Sequence, residues 1–219
     1  MSASEPTVSL LGTSALLFEA PGETSLPTQQ RIWALAREAA TWPELSEAVP
    51  GMNNLMLRFV RPPRRPDELI ARLLTAWSDA TPLPLQGRLI ELPVTYGGET
   101  GPHMNDVIGH TRLGIDDIVA LHTAPDYPVY ALGSHPGYCY LGGMDARLTT
   151  PRRQTPVLSI PGGAVSIGGA QTGVSASAGP SGWNTIGSTS LAFFDPAQDP
   201  PALLRPGDSI RFRAARVTR

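Results

Sequence analysis

The chain has 219 residues, enough for one large hydrophobic core or two small ones, and its 41% apolar and 16% charged residues are a globular composition. A formal net charge of −2 supplies no field for nucleic acid or an anionic membrane surface, and no apolar run reaches the roughly 20 residues that span a bilayer. All 17 basic residues are Arg, which excludes a Walker A loop, a Schiff-base lysine and a biotinylated lysine on this chain.

In chain order, residues 8–18 are apolar and partly alternating, with Gly12 as a turn or bulge, and predict one or two strand segments. Ser25 or Thr28 caps a helix to about Trp42, with Ile32, Leu35, Ala36, Ala39 and Ala40 on one face, and Pro43 stops it. Residues 45–49 and 54–60 read as strands around a Pro50-Gly51 turn. Arg61, Arg64 and Arg65 lie in a proline-stiffened connector, read as solvated. A helix follows from Asp67, with Leu69, Ile70, Leu73, Leu74 and Trp77 at helical spacing, and residues 88–92 form a last strand. This β-α-β-β-α-β order predicts a ferredoxin-like (split βαβ) domain over residues 1–88.

From Pro93 the texture changes. Residues 96–102 read as a loop, and short helices are expected over 104–110 and 115–122, the second with Asp116 and Asp117 in its positively polarised first turn. Strands are expected over 127–132, 164–167, 191–194 and 209–213, joined by Gly- and Pro-governed turns, a spacing that suggests a β-barrel over residues 89–219. The single cysteine, Cys139, has no internal disulfide partner, and residues 1–7 carry no signal-peptide pattern, so a cytoplasmic location is expected.

The segment with chemical potential runs from Gly133 to Gly173. Gly133-Ser134-His135-Pro136-Gly137-Tyr138-Cys139-Tyr140-Leu141-Gly142-Gly143 resembles a G-F-x-P-G-F-x-Y-L-G-G signature. Pro161-Gly162-Gly163-Ala164-Val165-Ser166-Ile167-Gly168-Gly169-Ala170-Gln171-Thr172-Gly173 resembles P-x-G-S-V-x-I-x-G-G-Q-T-G, and Pro180-Ser181-Gly182-Trp183-Asn184-Thr185-Ile186-Gly187 resembles P-G-G-W-x-x-I-G. Phe194-Asp195-Pro196 and Leu204-Arg205-Pro206-Gly207-Asp208 close the pattern. In these motifs the chain resembles the family of the 5-oxoprolinase B subunit, also called allophanate hydrolase subunit 1 or the KipI kinase-inhibitor family. It departs from the pattern at Ser134 (for Phe), Ala170 (for Gly), Val174-Ser175-Ala176 (for I-Y-P) and Ser181 (for Gly), differences expected to cluster on the functional face.

The resemblance implies a cyclophilin-like barrel for the second half, an α+β chain overall. It also implies a subunit of an ATP-dependent 5-oxoprolinase that opens 5-oxoproline to glutamate. With no P-loop and no Lys, the chain is expected to be inactive alone, with ATP shared with a companion subunit 2-type chain. Two further readings follow from the same family: an allophanate hydrolase or urea carboxylase-type carboxyltransferase subunit, and a protein inhibitor of a histidine kinase.

Among the four histidines, no metal-ligand spacing occurs, and His103, His110 and His122 read as ordinary surface or capping residues. His135 projects from a tight turn and is the candidate general acid or base. Gln171, Thr172 and Gly173 offer an amide, a hydroxyl and close backbone approach, so they are the main substrate-binding candidates. Tyr138, Tyr140 and Trp183 could form an aromatic wall or barrel core, and Arg152 offers charge nearby. Gln171, Thr172, His135 and Tyr138 are expected to face one cavity, while Cys139 reads as a small buried packing residue.

Overall fold

The computed structural model describes residues 5–219. The chain divides into two compact units, one ending at Leu85 and one running Gln86–Arg219.

The first unit contains β1 (Thr7–Leu11), β2 (Ala15–Glu19), α1 (Leu26–Ala39), β3 (Leu45–Pro50), β4 (Asn54–Phe59) and α2 (Pro66–Asp79). Ser25 caps α1, its hydroxyl accepting from the Thr28 N–H at 3.3 Å, and Pro27 sits in the first turn where its missing N–H costs nothing. Ile32, Leu35 and Ala39 of α1 and Leu73 of α2 are fully buried against Phe18, Leu55 and Leu57 of the sheet. Each buried Leu, Ile or Phe side chain among them contributes about 1.5–3 kcal/mol. Arg31 of α1 closes the end of α2, donating to the carbonyls of Trp77 (2.6 Å) and Ala80 (3.1 Å) while its guanidinium stacks 3.8 Å from the Trp77 ring centroid.

The strand order of this sheet is β1-β2-β4-β3, all antiparallel. The split βαβ layout is present, but its fourth strand is not residues 88–92. β1, hairpin-paired to β2 through Gly12, takes that edge, with Thr7 opposite Glu19 and Leu11 opposite Ala15.

The second unit contains β5 (Leu89–Gly97), α3 (Met104–Thr111), α4 (Ile115–Thr123), β6 (Tyr127–Leu132), β7 (Cys139–Leu141), β8 (Val157–Ile160), β9 (Ala164–Gly168), β10 (Gln171–Val174), β11 (Gly179–Ser181), β12 (Asn184–Ser188) and β13 (Ser209–Thr218). Seven strands form one sheet, ordered β10-β9-β12-β5-β13-β6-β7, and its two ends, β10 and β7, pack against each other without a ladder. The result is a nearly closed barrel; β8 and β11 form a separate ribbon. Inward positions alternate as strand geometry demands: Leu92, Val94 and Tyr96 on β5, Ile210 and Phe212 on β13, Val165 and Ile167 on β9.

Two expectations for this half change. β5 continues through Pro93 to Gly97, past the expected strand end at Leu92 and into the first residues of the loop expected over 96–102. At Pro93 the strand pairs with Arg213 of β13 and has no partner on β12, which joins β5 only at Thr95 and Tyr96, so the proline lies where β5 is paired on one side. Residues 191–194 are not a strand. Phe193 is buried as a plug, and Phe194 makes one isolated bridge to Ala202 inside a proline-rich segment.

Candidate active site

Three segments of the second unit converge. The first is the turn between β6 and β7, closed by His135 N–H to Gly133 O (2.8 Å) and Tyr138 N–H to His135 O (3.1 Å). Ser134 sits there with φ 66°, in the left-handed region, and the turn stacks the His135 imidazole on Tyr138 at 5.1 Å between centroids. The second segment is the β9–β10 hairpin, which presents Ser166 and Gly173, and the third is the β11–β12 connection, which brings in Trp183.

Glycine is required under the aromatic wall. A Cβ on Gly168 would lie 2.5 Å from the Trp183 ring, and one on Gly173 would lie 3.0 Å from the Tyr138 hydroxyl and 3.4 Å from Trp183. Part of the glycine signature therefore seats two aromatic side chains on the hairpin.

The segments enclose a cavity of about 190 Å³. The polar residues that line it are Ser134, Ser166, Ser175, Ser181, His135 and Tyr138, with Trp183 as an apolar face; the Ser166 hydroxyl already meets that of Thr185 at 3.2 Å, and the Ser181 hydroxyl accepts the Trp183 N–H at 3.1 Å. No carboxylate or guanidinium lines it. The His135 Nε2 is screened from solvent and meets no hydrogen-bonding partner among the described residues. A buried imidazole nitrogen without a partner is costly in a resting protein, and a ligand can supply what is missing. Burial pushes the Tyr138 phenol up to about 12, helped by Tyr140 and opposed by the Arg152 charge, so at neutral pH it is a hydrogen-bond donor.

The structure brings His135, Tyr138, Gly173 and Trp183 together. Arg152 is exposed, its guanidinium 5.7 Å from the Trp183 ring centroid, near the wall but outside the lining. Tyr140 is half-buried and packs edge-on against Tyr138 at 5.1 Å, behind the lining. Gln171 begins β10, half-buried and not in the cavity wall. Thr172 does not face the cavity either: it is 1% exposed and turned into the barrel, its hydroxyl 2.8 Å from His122 Nε2 and 3.1 Å from Ser166 O. Strand alternation separates it from Gly173.

Sequence reasoning missed the serines. Ser134, Ser175 and Ser181 are three of the positions that depart from the family pattern, so the signal was present without a location for it. His122 also differs from expectation. It is fully buried between Tyr96 and Thr172 instead of capping a helix at the surface, and burial lowers its basicity to about 3. His103 Nδ1 accepts the Thr185 N–H at 2.9 Å, tying the start of α3 to β12, while His110 is exposed. Cys139 is buried in the core, its thiol pushed up to about 12 by burial, which leaves no thiolate nucleophile. Among the described residues no group of three or more His, Cys, Asp or Glu could hold a metal ion.

A larger cavity of about 620 Å³ lies between Arg88 and the 192–205 segment. Its walls combine Phe194, Pro200, Pro201, Leu203 and Leu204 with the polar Asp195, Gln198, Asp199 and Arg205, and Arg88 is already held by Asp208 and the Leu203 carbonyl. The smaller cavity is the one lined by the family motifs and by an imidazole nitrogen without a partner among the described residues.

Mixed α+β architecture with this barrel is the fold of carboxyltransferase-type chains. The urea amidolyase of K. lactis superposes on 96% of this chain, over 15% of its own length, with a TM-score of 0.82 at 18% identity, which speaks to fold alone. The structure of TTHA0988 (TM-score 0.77, 35% identity) covers 92% of this chain, which spans only 39% of that protein. Residues 6–204 match the family model of the carboxyltransferase domain, subdomain C and D. The 5-oxoprolinase B subunit of Escherichia coli O157:H7 is 45% identical over 203 residues, 93% of each chain. The chain belongs to this family, in the branch of the 5-oxoprolinase B subunits.

Proposed function

We propose that the chain is one subunit of an ATP-dependent 5-oxoprolinase, in which companion subunits and this barrel together convert 5-oxoproline, ATP and water to glutamate, ADP and phosphate. The observation that carries the reading is the 45% identity to a 5-oxoprolinase B subunit along nearly the whole of both chains.

The cavity supports it chemically. A lactam is an uncharged, resonance-stabilised amide with one donor and one acceptor, and the serine hydroxyls, the Tyr138 phenol and His135 offer matching groups at the scale of a small ring. The free nitrogen of His135 can hydrogen-bond the lactam or move a proton to its nitrogen as the ring opens. Trp183 supplies an apolar face, and the exposed Arg152, outside the lining with its guanidinium 5.7 Å from the Trp183 ring centroid, is the proposed partner of the substrate carboxylate, reaching it from the rim. ATP is a different matter. At about 190 Å³ the cavity falls below the range that encloses drug-sized ligands, and no guanidinium lines it. The triphosphate is therefore assigned to a surface completed by a companion chain. There, transfer of the terminal phosphoryl group to the lactam oxygen would make the ring carbon a better electrophile.

A second reading, a carboxyltransferase subunit, is favoured by the name of the matching family model. Without a lysine this chain could serve it only beside a partner that carries biotin. A substrate panel on the co-purified complex separates the two. ATP hydrolysis stimulated by 5-oxoproline and indifferent to urea with bicarbonate supports the first, and the reverse pattern refutes it.

A further inference from the structure

His122 is fully buried, ringed by Tyr96, Tyr127 and Phe212 at 5.7, 5.6 and 4.4 Å between centroids. Both of its nitrogens are used: Nδ1 lies 2.8 Å from the Tyr96 hydroxyl, and Nε2 lies 2.8 Å from the Thr172 hydroxyl. Thr172 Oγ1 is also 3.1 Å from the Ser166 carbonyl, which can only accept. The single Thr172 proton therefore goes to Ser166 O, and the Thr172 oxygen receives a proton from Nε2. Nδ1 is then the acceptor of the Tyr96 phenol. The opposite tautomer would leave the Tyr96 proton without an acceptor and remove a bond at Ser166. Burial disfavours the imidazolium, so the ring is neutral.

The far end of this chain of hydrogen bonds is the floor of the cavity. Ser166 lines it, and Thr172 immediately precedes Gly173, the seat of Tyr138 and Trp183. We infer that His122 is a positioning residue: as the neutral Nε2–H tautomer it suspends the β9–β10 hairpin from α4 through Thr172 and so sets the distance between the hairpin floor and the aromatic wall above it. The catalytic part of this inference rests on the cavity being the 5-oxoproline site; the structural part does not. Buried and fully satisfied, such a network fixes one arrangement of its strands.

The test uses Thr172→Val, which keeps the shape and removes the hydroxyl, and Thr172→Ser, which restores it. In the full chain labelled with ¹⁵N, the His122 ring should show the Nε2–H pattern and no titration between pH 5 and 8. The Trp183 indole resonance should move in Thr172→Val and return in Thr172→Ser. In the complex with its companion subunits, Thr172→Val should raise KM for 5-oxoproline about 3- to 10-fold, the value of one hydrogen bond, with kcat within twofold and Thr172→Ser close to wild type. A titrating or Nδ1–H His122, or a Trp183 resonance unmoved by Thr172→Val, overturns the inference whether or not the complex hydrolyses 5-oxoproline. A wild-type complex inactive on 5-oxoproline refutes the proposed function, and the two resonances still decide the role of His122.

Discussion

At the scale of single residues, the cavity depends on contacts that leave no room for a methyl group. Gly168→Ala should displace the Trp183 ring, because its Cβ would fall 2.5 Å from ring atoms that are not the end of a flexible chain. The expected cost is about 1–3 kcal/mol, read as a lowered Tm together with a changed Trp183 indole signal. A variant with unchanged Tm and unchanged signal would contradict the packing. His135→Ala should lower kcat/KM of the assembled complex by about 1–3 kcal/mol of transition-state stabilisation, with Tm little altered, because Nε2 has no protein partner to lose. Parallel loss of Tm and activity would instead make His135 a structural residue. That His135, Tyr138 and Trp183 come to line one cavity follows from a Gly-Pro turn and a glycine-flanked Trp, which constrain where side chains can go. The sequence could not separate Gly173 from Thr172. They are adjacent in one motif, and only the register of β10 decides that Thr172 enters the core and Gly173 the cavity wall.

At the scale of elements, helices are legible from capping and spacing. α1 and α2 begin with Pro in the first turn and bury Ile32, Leu35, Ala36 and Ala39 and Leu69, Leu73 and Trp77 as the spacing suggests, while Ala40 and Leu74 are exposed. What could not be read was partnership across distance. Nothing local says that Arg31 on α1 closes the last turn of α2, yet two carbonyls and a ring face depend on it. Arg31→Ala should cost about 1–2 kcal/mol in urea unfolding, more than an ordinary surface substitution; a value near zero would remove its capping role. The fourth strand of the first unit is the one that pattern alone misplaces, since β1 and residues 88–92 fit the same sheet edge equally well.

The parallel pair of β5 and β13 starts at a buried carboxylate. Asp208, with its side chain wholly inaccessible, accepts from the Arg88 N–H (2.9 Å), the Arg88 guanidinium (2.8 Å) and the Arg205 N–H (3.2 Å). Burial pushes its carboxyl up, but these hydrogen bonds and the Arg88 charge together outweigh burial and hold it below the ordinary range. A carboxylate held low in the folded state stabilises above its unfolded value, about 3.9, and loses that contribution as pH falls through the folded value. Asp208→Asn should therefore lower Tm by roughly 5 °C or more at pH 7, with the gap to wild type narrowing below about pH 4. A gap constant with pH would show that the charge is not what Asp208 contributes.

At the scale of the whole molecule, the chain divides into two compact units, each with its own core, and residues 80–87 between α2 and β5 hold no regular structure. Limited proteolysis should cut first in that segment, identified by fragment masses. First cuts inside residues 127–194 would mean that the barrel is not the resistant unit. In the proposed reaction a barrel with a small cavity lined by serines and an imidazole opens a lactam only when companion subunits bring ATP. The direct measurement is glutamate released per ADP formed from 5-oxoproline, for the purified chain and for the chain co-purified with its companions. The account predicts no turnover by the chain alone and a one-to-one yield from the complex. Turnover by the isolated chain at a rate common among enzymes, on the order of 10 per second, or a complex that hydrolyses ATP without releasing glutamate, would contradict it.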